Sequence, residues 1–215
     1  MRRFFLISII FCISISGFSQ RNGGPKPYFK GTFQLPNPTS NYAFKSLMTG
    51  VSNVGLSINF PIGERFHLGI ILDHSYFTFD DLAIPEKTNA NMRIPGMSLG
   101  FGYTVPTSEK LSIEFAMNGG YSSVLISSET CNAITGSKIH TQNALHLEPN
   151  MGFYLTSNEY LSFGLTFSYS IYMAGFGPGN VCVQQFSEFR NSDFNGVYQM
   201  FSIGFGFKTS LGSKK

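Results

Sequence analysis

Charge and long apolar runs are both scarce in this sequence, and each scarcity excludes a class of protein. Only 13% of the 215 residues are charged, about half of the roughly 25% found in an average soluble domain. A soluble protein needs more charge than this to cover its surface, so an ordinary soluble domain is not expected. Beyond the first 20 residues the chain has no long unbroken apolar run. It therefore lacks the stretches of about 20 consecutive apolar residues from which helical membrane proteins are built.

The first residues, MRRFFLISIIFCISISGFSQ, hold the one continuous apolar stretch. Two arginines precede an apolar core from Phe4 to Ile15, and Gly17 and Ser19 are small residues before a cut at Gln20. This pattern predicts a secretory signal peptide over residues 1–19. The alternative, a short membrane anchor, would need a longer apolar core.

Acidic and basic residues nearly cancel in the remaining chain, residues 20–215, which we interpret as a single domain. The full sequence has 15 Lys and Arg against 12 Asp and Glu, and removal of the signal peptide takes two arginines away. No strong positive field remains that would attract nucleic acid, so a nucleic-acid partner is not expected.

What the sequence does contain is a period-two alternation of apolar and small polar residues. In LSFGLTFSYSIYM, residues 161–173, the odd positions are apolar or aromatic, and the even positions are mostly Ser, Gly and Thr, without any charge. Period two places the apolar residues of a strand on one face. Eight segments show the pattern: 28–35, 53–62, 66–77, 95–105, 111–121, 145–155, 161–173 and 201–207.

The connections between these segments alternate in length. Short connections are expected near 63–65, 106–109 and 156–159, and long ones near 36–52, 78–93, 126–143 and 174–196. Short turns at one end and long loops at the other are typical of transmembrane barrels. We therefore predict an all-β fold, an eight-stranded antiparallel up-and-down transmembrane β-barrel whose apolar face contacts outer-membrane lipid. The alternatives, a soluble sandwich or a lipocalin-like barrel, would carry Lys and Glu on the outer face.

The segments GMSLGFGYTV and FSIGFGF, together with the signal peptide and eight amphipathic strands, resemble a known group. They look like the small outer-membrane β-barrels of the OmpA-transmembrane and OmpX type, and GFSQ resembles export signals common in Bacteroidota. The resemblance covers about residues 26–211. It implies the outer membrane of a Gram-negative cell and no single activity. Such barrels usually end on an aromatic residue, whereas KTSLGSKK follows Phe207 here.

Polar and charged residues fall on the small-residue face and predict a polar lumen network. Unpaired charge in a narrow interior costs several kcal/mol, so Glu114 is expected to pair across the lumen with Lys208 or Lys30. Two interpretations stay open: a filled, closed barrel, or a gate along a narrow, porin-like ion path. The predicted network consists of Lys30, Asn59, His67, Asp73, Glu114, His146, Glu148 and Lys208.

An enzyme of the lipid-hydrolase type is a further alternative, and LDHSYF offers Asp73, His74 and Ser75 for it. Adjacent strand residues point to opposite faces, so these three cannot meet as one triad. His140 lies in a predicted loop, where no neighbouring group orients it. We expect no catalytic residues.

The histidines give no metal site and the sequence gives no cofactor motif. His146 and Glu148 supply two inward-facing ligands, which are too few for a closed metal site. The four histidines are scattered over the chain: His67, His74, His140 and His146. We expect neither a metal nor another cofactor.

The long connections are the other candidate for function. Loops of this length are uncommon unless they are functional or disordered. Cys131 and Cys182 lie in the third and fourth of them, and an even pair in an exported chain suggests one disulfide, with two unpaired thiols as the alternative. The expected function is a structural or interaction role, with the loops binding a surface or an envelope protein complex. The alternative is that the loops merely shield the barrel mouth.

Overall fold

A computed structural model describes residues 26–79, 90–137, 139–158, 160–177, 180 and 189–211. The predicted signal peptide, residues 1–19, lies outside the described residues, as does Cys182. The described residues form a closed antiparallel barrel in which each strand pairs with its neighbours in sequence and the first strand pairs with the last. The predicted fold is confirmed. The strands are β1 Tyr28–Pro38, β2 Met48–Ile62, β3 Phe66–Phe79, β4 Ala90–Pro106, β5 Leu111–Ser128, β6 Ile139–Thr156, β7 Leu161–Gly175 and β8 Val197–Ser210.

The barrel has two different ends. At the turn end lie the short connections β2–β3, β4–β5 and β6–β7, together with the start of β1 and the end of β8. At the loop end lie the connections β1–β2, β3–β4, β5–β6 and β7–β8. Three short helices belong to the loop end: α1 Tyr42–Leu47, α2 Glu129–Thr135 and a 3-10 helix Asn191–Phe194. No helix in the described part of the chain is long and apolar enough to cross a membrane.

Strands continue further toward the loop end than their sequence patterns indicated. β3 runs to Phe79 and β4 begins at Ala90. The first two and the last four residues of the predicted loop 78–93 therefore belong to strands. Likewise β5 reaches Ser128, inside the predicted loop 126–143. The predicted boundaries were wrong because residues continue to alternate between the two faces, but the apolar residues change face. At the loop-end residues of these strands, the inward positions are the apolar ones.

Around the middle and turn end, the outer surface is apolar, and we call this ring of side chains the apolar belt. On β2 it runs from Val54 to Ile62. At about 3.3 Å per residue and a tilt of about 40°, this length spans about 20 Å along the barrel axis, close to the ~25 Å band of membrane barrels. The belt includes Phe33, Leu35, Leu56, Ile58, Phe60, Phe66, Leu68, Ile70, Leu72, Met97, Leu99, Phe101, Phe115, Met117, Leu155, Phe163, Leu165, Ile203 and Phe205, all exposed. The part of the barrel that it encircles is the belt section.

Above the belt lies the loop-end section, where the polarity is the opposite. Outward positions now include polar residues, with Asn37, His74, Arg93 and Asn143 all exposed, beside exposed apolar residues such as Ile139 and Met173. Inward positions are apolar and pack into one cluster. Its members are Ala43, Phe44, Leu47, Met48, Phe77, Phe79, Ala90, Met92, Ile94, Val124, Ile126, Ala144, Tyr172, Ala174, Phe176, Tyr198 and Met200. The loop-end section therefore has the inside and outside of a water-soluble protein.

Helix α1 folds over the mouth of this cluster because Asn41 fixes its start. The Asn41 side chain accepts a hydrogen bond from the Phe44 amide at 3.1 Å, as an N-cap residue does. The same side chain donates to the backbone oxygens of Phe176 and Phe194, at 3.2 and 2.7 Å. Asn41 thus joins the first loop to the last one and holds α1 against the barrel mouth.

Candidate functional site

An ion cluster at the turn end of the lumen centres on Glu114. Its two carboxylate oxygens contact Lys30 Nζ at 2.7 Å and Lys208 Nζ at 2.5 Å. The Tyr28 hydroxyl donates to the same carboxylate at 3.2 Å, and His67 Nε2 lies 3.9 Å from it. Glu114 is 0% exposed, so its charge depends on these partners, because an unpaired buried charge is costly. Both lysines named as alternative partners contact it.

The cluster spans the barrel from its closing seam to the far wall. Lys30 on β1 and Lys208 on β8 are directly opposite each other across the seam where the first and last strands pair. Like charges in that position repel each other and destabilise a sheet. Glu114 reaches them from β5, on the other side of the lumen, and its single negative charge contacts both ammonium groups and reduces their repulsion. The carboxylate therefore stabilises the closure of the barrel.

Aromatic rings complete the cluster. Lys208 Nζ lies 3.7 Å from the centroid of the Tyr154 ring, and Lys30 Nζ lies 5.8 Å from it, within the range of cation–π contacts. Small residues leave room for these large groups: a Cβ at Gly102 would overlap the His67 ring, and one at Gly152 would overlap Tyr154. These two positions therefore require glycine, because the rings of His67 and Tyr154 lie against the backbone there.

Uncharged polar side chains fill the lumen above the ion cluster. Gln34 donates to Thr166 at 3.0 Å and accepts from Ser168 at 3.1 Å, while Asn59 donates to Ser57 at 2.9 Å. These bonds satisfy polar groups that the closed wall removes from water.

These polar side chains surround a cavity of about 50 Å³, which extends from Lys30 and His67 of the ion cluster to Asp73 and Glu148. Lys30, Gln34, Asp73, Asn118 and Glu148 are among the residues that line it. A volume of this size holds a few water molecules, since one requires about 10–15 Å³. This cavity is therefore far smaller than an open channel.

All of the predicted lumen residues face the interior in the structure. They divide by depth, with the Glu114 cluster at the turn end and the Asp73, His146 and Glu148 group near the cavity. The predicted set is Lys30, Asn59, His67, Asp73, Glu114, His146, Glu148 and Lys208, with side chains buried or nearly so.

One row of side chains resembles a hydrolase triad in composition. Ser122 Oγ lies 2.8 Å from His146 Nδ1, and His146 Nε2 lies 4.0 Å from Asp73 Oδ1. The second distance is too long for a hydrogen bond. Ser122 is 1% exposed and faces the lumen, so a membrane lipid outside the wall does not contact it. His74 and Ser75, named from the sequence, lie on opposite faces, with His74 exposed and Ser75 buried.

Metal-ligating side chains do not gather in the part of the chain that the structure describes, where no three of His, Cys, Asp and Glu could hold an ion together. His140, near the loop-end start of β6, is exposed and lies six residues before His146 in the sequence.

An apolar plug closes the loop end of the lumen. Phe44 of α1 is fully buried, and its ring centroid lies 5.1 Å from Tyr198, 5.7 Å from Phe77 and 6.0 Å from Phe176. Leu47, one turn later, is also fully buried. Sequence reasoning missed this plug. Its signal was the apolar spacing of Ala43, Phe44 and Leu47 just after the N-cap residue Asn41.

The position of five tyrosines near strand ends, Tyr28, Tyr103, Tyr121, Tyr160 and Tyr198, predicts that they belong to the aromatic belts at the membrane interfaces. Two of them face the interior instead. The Tyr28 hydroxyl binds Glu114, and Tyr198 is fully buried in the plug. Both are on inward positions of their strands, which decides their side. The other tyrosines of that prediction face outward, with Tyr121 and Tyr160 exposed and Tyr103 partly exposed.

Cys131 of α2 is buried and disulfide-bonded. Its predicted partner Cys182 lies outside the described residues, so the pairing of these two residues stays a prediction.

Comparison with solved structures finds other small barrels. Neisserial surface protein A (NspA) superposes with a TM-score of 0.55 and 10% identity, over 88% of this chain and 100% of that one. The outer membrane protein OprG from Pseudomonas aeruginosa superposes with a TM-score of 0.51 and 14% identity, over 87% of this chain and 98% of that one. No protein-family model matches the chain, and no curated protein is significantly similar in sequence. The chain therefore shares the eight-stranded barrel fold of these two proteins.

Proposed function

We propose that this chain is an integral outer-membrane barrel of the OmpA-transmembrane and OmpX type, closed to solutes, whose loop end is an interaction surface. The observation that carries the proposal is the reversal of polarity along the barrel. An apolar belt surrounds a polar lumen, and above it a soluble-type section projects with its apolar side chains inside.

The belt supports insertion in a membrane. Large apolar side chains such as Leu99, which is 69% exposed, and Phe205, which is 68% exposed, cover the outside of the wall. A contiguous apolar surface of this extent would cause aggregation in water. The closed wall leaves no unpaired strand edge, as lipid requires. NspA is called a surface protein and OprG an outer membrane protein.

The two closures of the lumen support a role other than transport. The Glu114 cluster fills the turn end, and Phe44 and Leu47 fill the loop end. A solute would have to displace an ion cluster and an apolar core to pass.

The loop-end section supports an interaction role. It raises α1, α2 and the 3-10 helix above the belt on a rigid wall, and it exposes side chains such as Tyr42, which is 64% exposed, and Ile139, which is 55% exposed. Exposed aromatic residues on a rigid support are common contact groups in protein interfaces. An envelope protein complex or a surface-bound partner is the expected occupant.

Site-specific photo-crosslinking in intact cells tests this function. A photoreactive amino acid replaces Tyr42 at the loop end, and the matched control replaces Leu99 in the belt. A discrete crosslinked protein from position 42, absent from position 99, is the expected result. Crosslinks to lipid alone from both positions would contradict an interaction role.

A narrow pore for ions or small solutes is the second candidate, and the cavity of about 50 Å³ inside the wall is the observation that favours it. Single-channel recording in planar bilayers separates the two functions. Negligible current from both the wild type and Glu114→Ala supports the closed barrel. A current that rises in Glu114→Ala would support a gate at the ion cluster.

A further inference from the structure

The charges inside the described lumen do not sum to zero. Three carboxylates face inward, those of Asp73, Glu114 and Glu148, against the two ammonium groups of Lys30 and Lys208. Glu114 takes both lysines, at 2.7 and 2.5 Å. With the lumen histidines neutral, the interior carries one excess negative charge, because Glu114 with its two lysines sums to +1 and the Asp73 and Glu148 carboxylates sum to −2.

Asp73 lines the lumen cavity, and one oxygen of its carboxylate has no hydrogen-bond partner. Its side chain is 10% exposed. The Oδ1 atom is buried and has no hydrogen bond, and the nearest cationic candidate, His146 Nε2, is 4.0 Å away. A buried carboxylate oxygen without a donor is unfavourable, and among the buried polar atoms found without a partner in the described residues it is the one that belongs to an ionisable carboxylate.

Further oxygen atoms surround the same space. Glu148 lines the cavity and is held in place by Asn118 at 3.1 Å and Ser170 at 2.7 Å. Because Asn118 donates through its amide nitrogen, its side-chain oxygen is available on the other side, where Gly100 leaves room for it. Asn150 and Ser168 also line the cavity. Carboxylate, amide and hydroxyl oxygens are ligands suited to hard cations.

We propose that the lumen cavity binds one monovalent alkali cation, Na⁺ or K⁺, between Asp73 and Glu148. One positive charge neutralises the lumen, whereas a divalent ion would leave an excess of the other sign. The described residues also lack the three grouped His, Cys, Asp or Glu ligands of a tight metal centre. The cavity of about 50 Å³ accommodates a small cation with one or two water molecules. Carboxylate oxygens cannot approach the charge of a tetramethylammonium ion as closely as that of Na⁺ or K⁺, because its methyl groups surround the nitrogen. The bound cation links the β3 wall to the β6 wall, as Glu114 links β5 to the seam.

The test measures how the folding equilibrium depends on cation type at constant chloride. The full chain is refolded into detergent micelles in NaCl or KCl, diluted against tetramethylammonium chloride, and urea unfolding is recorded. In the wild type, the folding constant should rise by up to about tenfold for each tenfold increase in the alkali cation above its dissociation constant. Asp73→Asn should remove this dependence. Glu64→Gln, a carboxylate-to-amide change at an exposed turn residue, should retain it.

Three results would overturn the proposal: equal stability in alkali and tetramethylammonium salts, an equal alkali dependence in Asp73→Asn, or a dependence on pH alone, in which case a proton supplies the charge. Should Asp73→Asn fail to fold, crystals of the wild type grown in RbCl decide the matter. A rubidium anomalous peak beside Asp73 Oδ1 is expected, and its absence contradicts the site.

Discussion

The belt section and the loop-end section use the same eight strands with opposite chemistry. In the belt section the side chains between the walls are charged or hydrogen-bonded, and the outer face is apolar. In the loop-end section the interior is an apolar core, and the outer face carries residues such as His74 and Arg93. The reversal takes place without a break in the strands. On β3, buried His67 and exposed Leu72 lie below it, and buried Phe77 lies above it.

This difference shows that the solvent outside the wall determines what the wall encloses. Where lipid surrounds the barrel, apolar side chains gain nothing by turning inward, so the lumen receives the polar groups, which must satisfy one another. Where water surrounds it, burial of apolar surface again drives packing. The two halves should therefore respond differently to the same kind of substitution.

The largest effect is expected from Glu114→Ala, which breaks the belt-section interior. It leaves Lys30 and Lys208 adjacent, buried and uncompensated, so the free energy of unfolding should fall by about 3–5 kcal/mol. Urea unfolding in lipid vesicles measures it, and Glu109→Ala at an exposed turn position is the control. A loss below about 1 kcal/mol would show that the cluster does not stabilise the seam.

The companion variant Lys30→Met/Glu114→Leu/Lys208→Met sharpens this prediction. Replacing a whole buried ion cluster with apolar groups is often neutral or stabilising, so most of the lost stability should return. A variant as unstable as Glu114→Ala would mean that the carboxylate acts through something other than charge compensation.

Phe44→Ala should have the next largest effect, and it should be confined to the loop-end section. Phe44 is fully buried against Phe77 and Tyr198, and removing such a ring costs about 3 kcal/mol. Amide hydrogen exchange should accelerate in α1 and in the strand residues of the loop-end section, while amides of the belt section keep their protection. Tyr42→Ala, on the exposed side of the same helix, is the control. Uniform loss of protection over the whole barrel would contradict the division into two sections.

Two opposite substitutions on β4, one in the belt section and one in the loop-end section, should lower the stability by smaller and unequal amounts. Leu99→Arg places a charge in the belt and should cost about 2 kcal/mol or more, as at a bilayer midplane. Arg93→Leu, on the same strand above the belt, should change stability by less than about 0.5 kcal/mol. Vesicle unfolding compares them directly. Similar losses from both would place the two positions in one environment.

Among the substitutions of interior residues, Gln34→Ala in the lumen is expected to have the smallest effect. This change removes the hydrogen bonds to Thr166 and Ser168 but leaves those hydroxyls near a cavity that can hold water. The expected loss is about 1 kcal/mol. Asn37→Ala, on the exposed face of β1, is the matched control and should be neutral. A loss as large as that of Glu114→Ala would mean that neutral and charged layers contribute equally.

The belt section could be predicted from the sequence because its two faces differ at every second residue. Leu161, Phe163 and Leu165 alternate with Ser162, Gly164 and Thr166, and the structure puts the first set outside. The inward position of Glu114 and both lysines followed from the same periodicity. That one carboxylate contacts both lysines depends on the β1–β8 register, which no local pattern contains.

The loop-end section escaped prediction because the phase of its apolar residues is inverted. Phe77 continues the inward phase of Asp73 and Ser75, so a search for apolar outward positions ends at this point. For the same reason Met92 was assigned to the predicted loop 78–93, and Ile94 was left just before the predicted strand 95–105. Helix α1 is only six residues long, and its helical state depends on packing over the barrel mouth rather than on propensity.

The depth of each outward position in the bilayer shows directly whether lipid surrounds the belt section alone. The chain has no tryptophan, so single tryptophans can be placed at Leu68, Leu72, Tyr76 and Thr78 along β3, and their fluorescence can be quenched by brominated lipids. Strong quenching is expected at Leu68 and Leu72 and little at Tyr76 and Thr78, with the change near His74. Strong quenching at Thr78 would place the loop-end section in the membrane and contradict the division of the barrel into a section in lipid and a section in water.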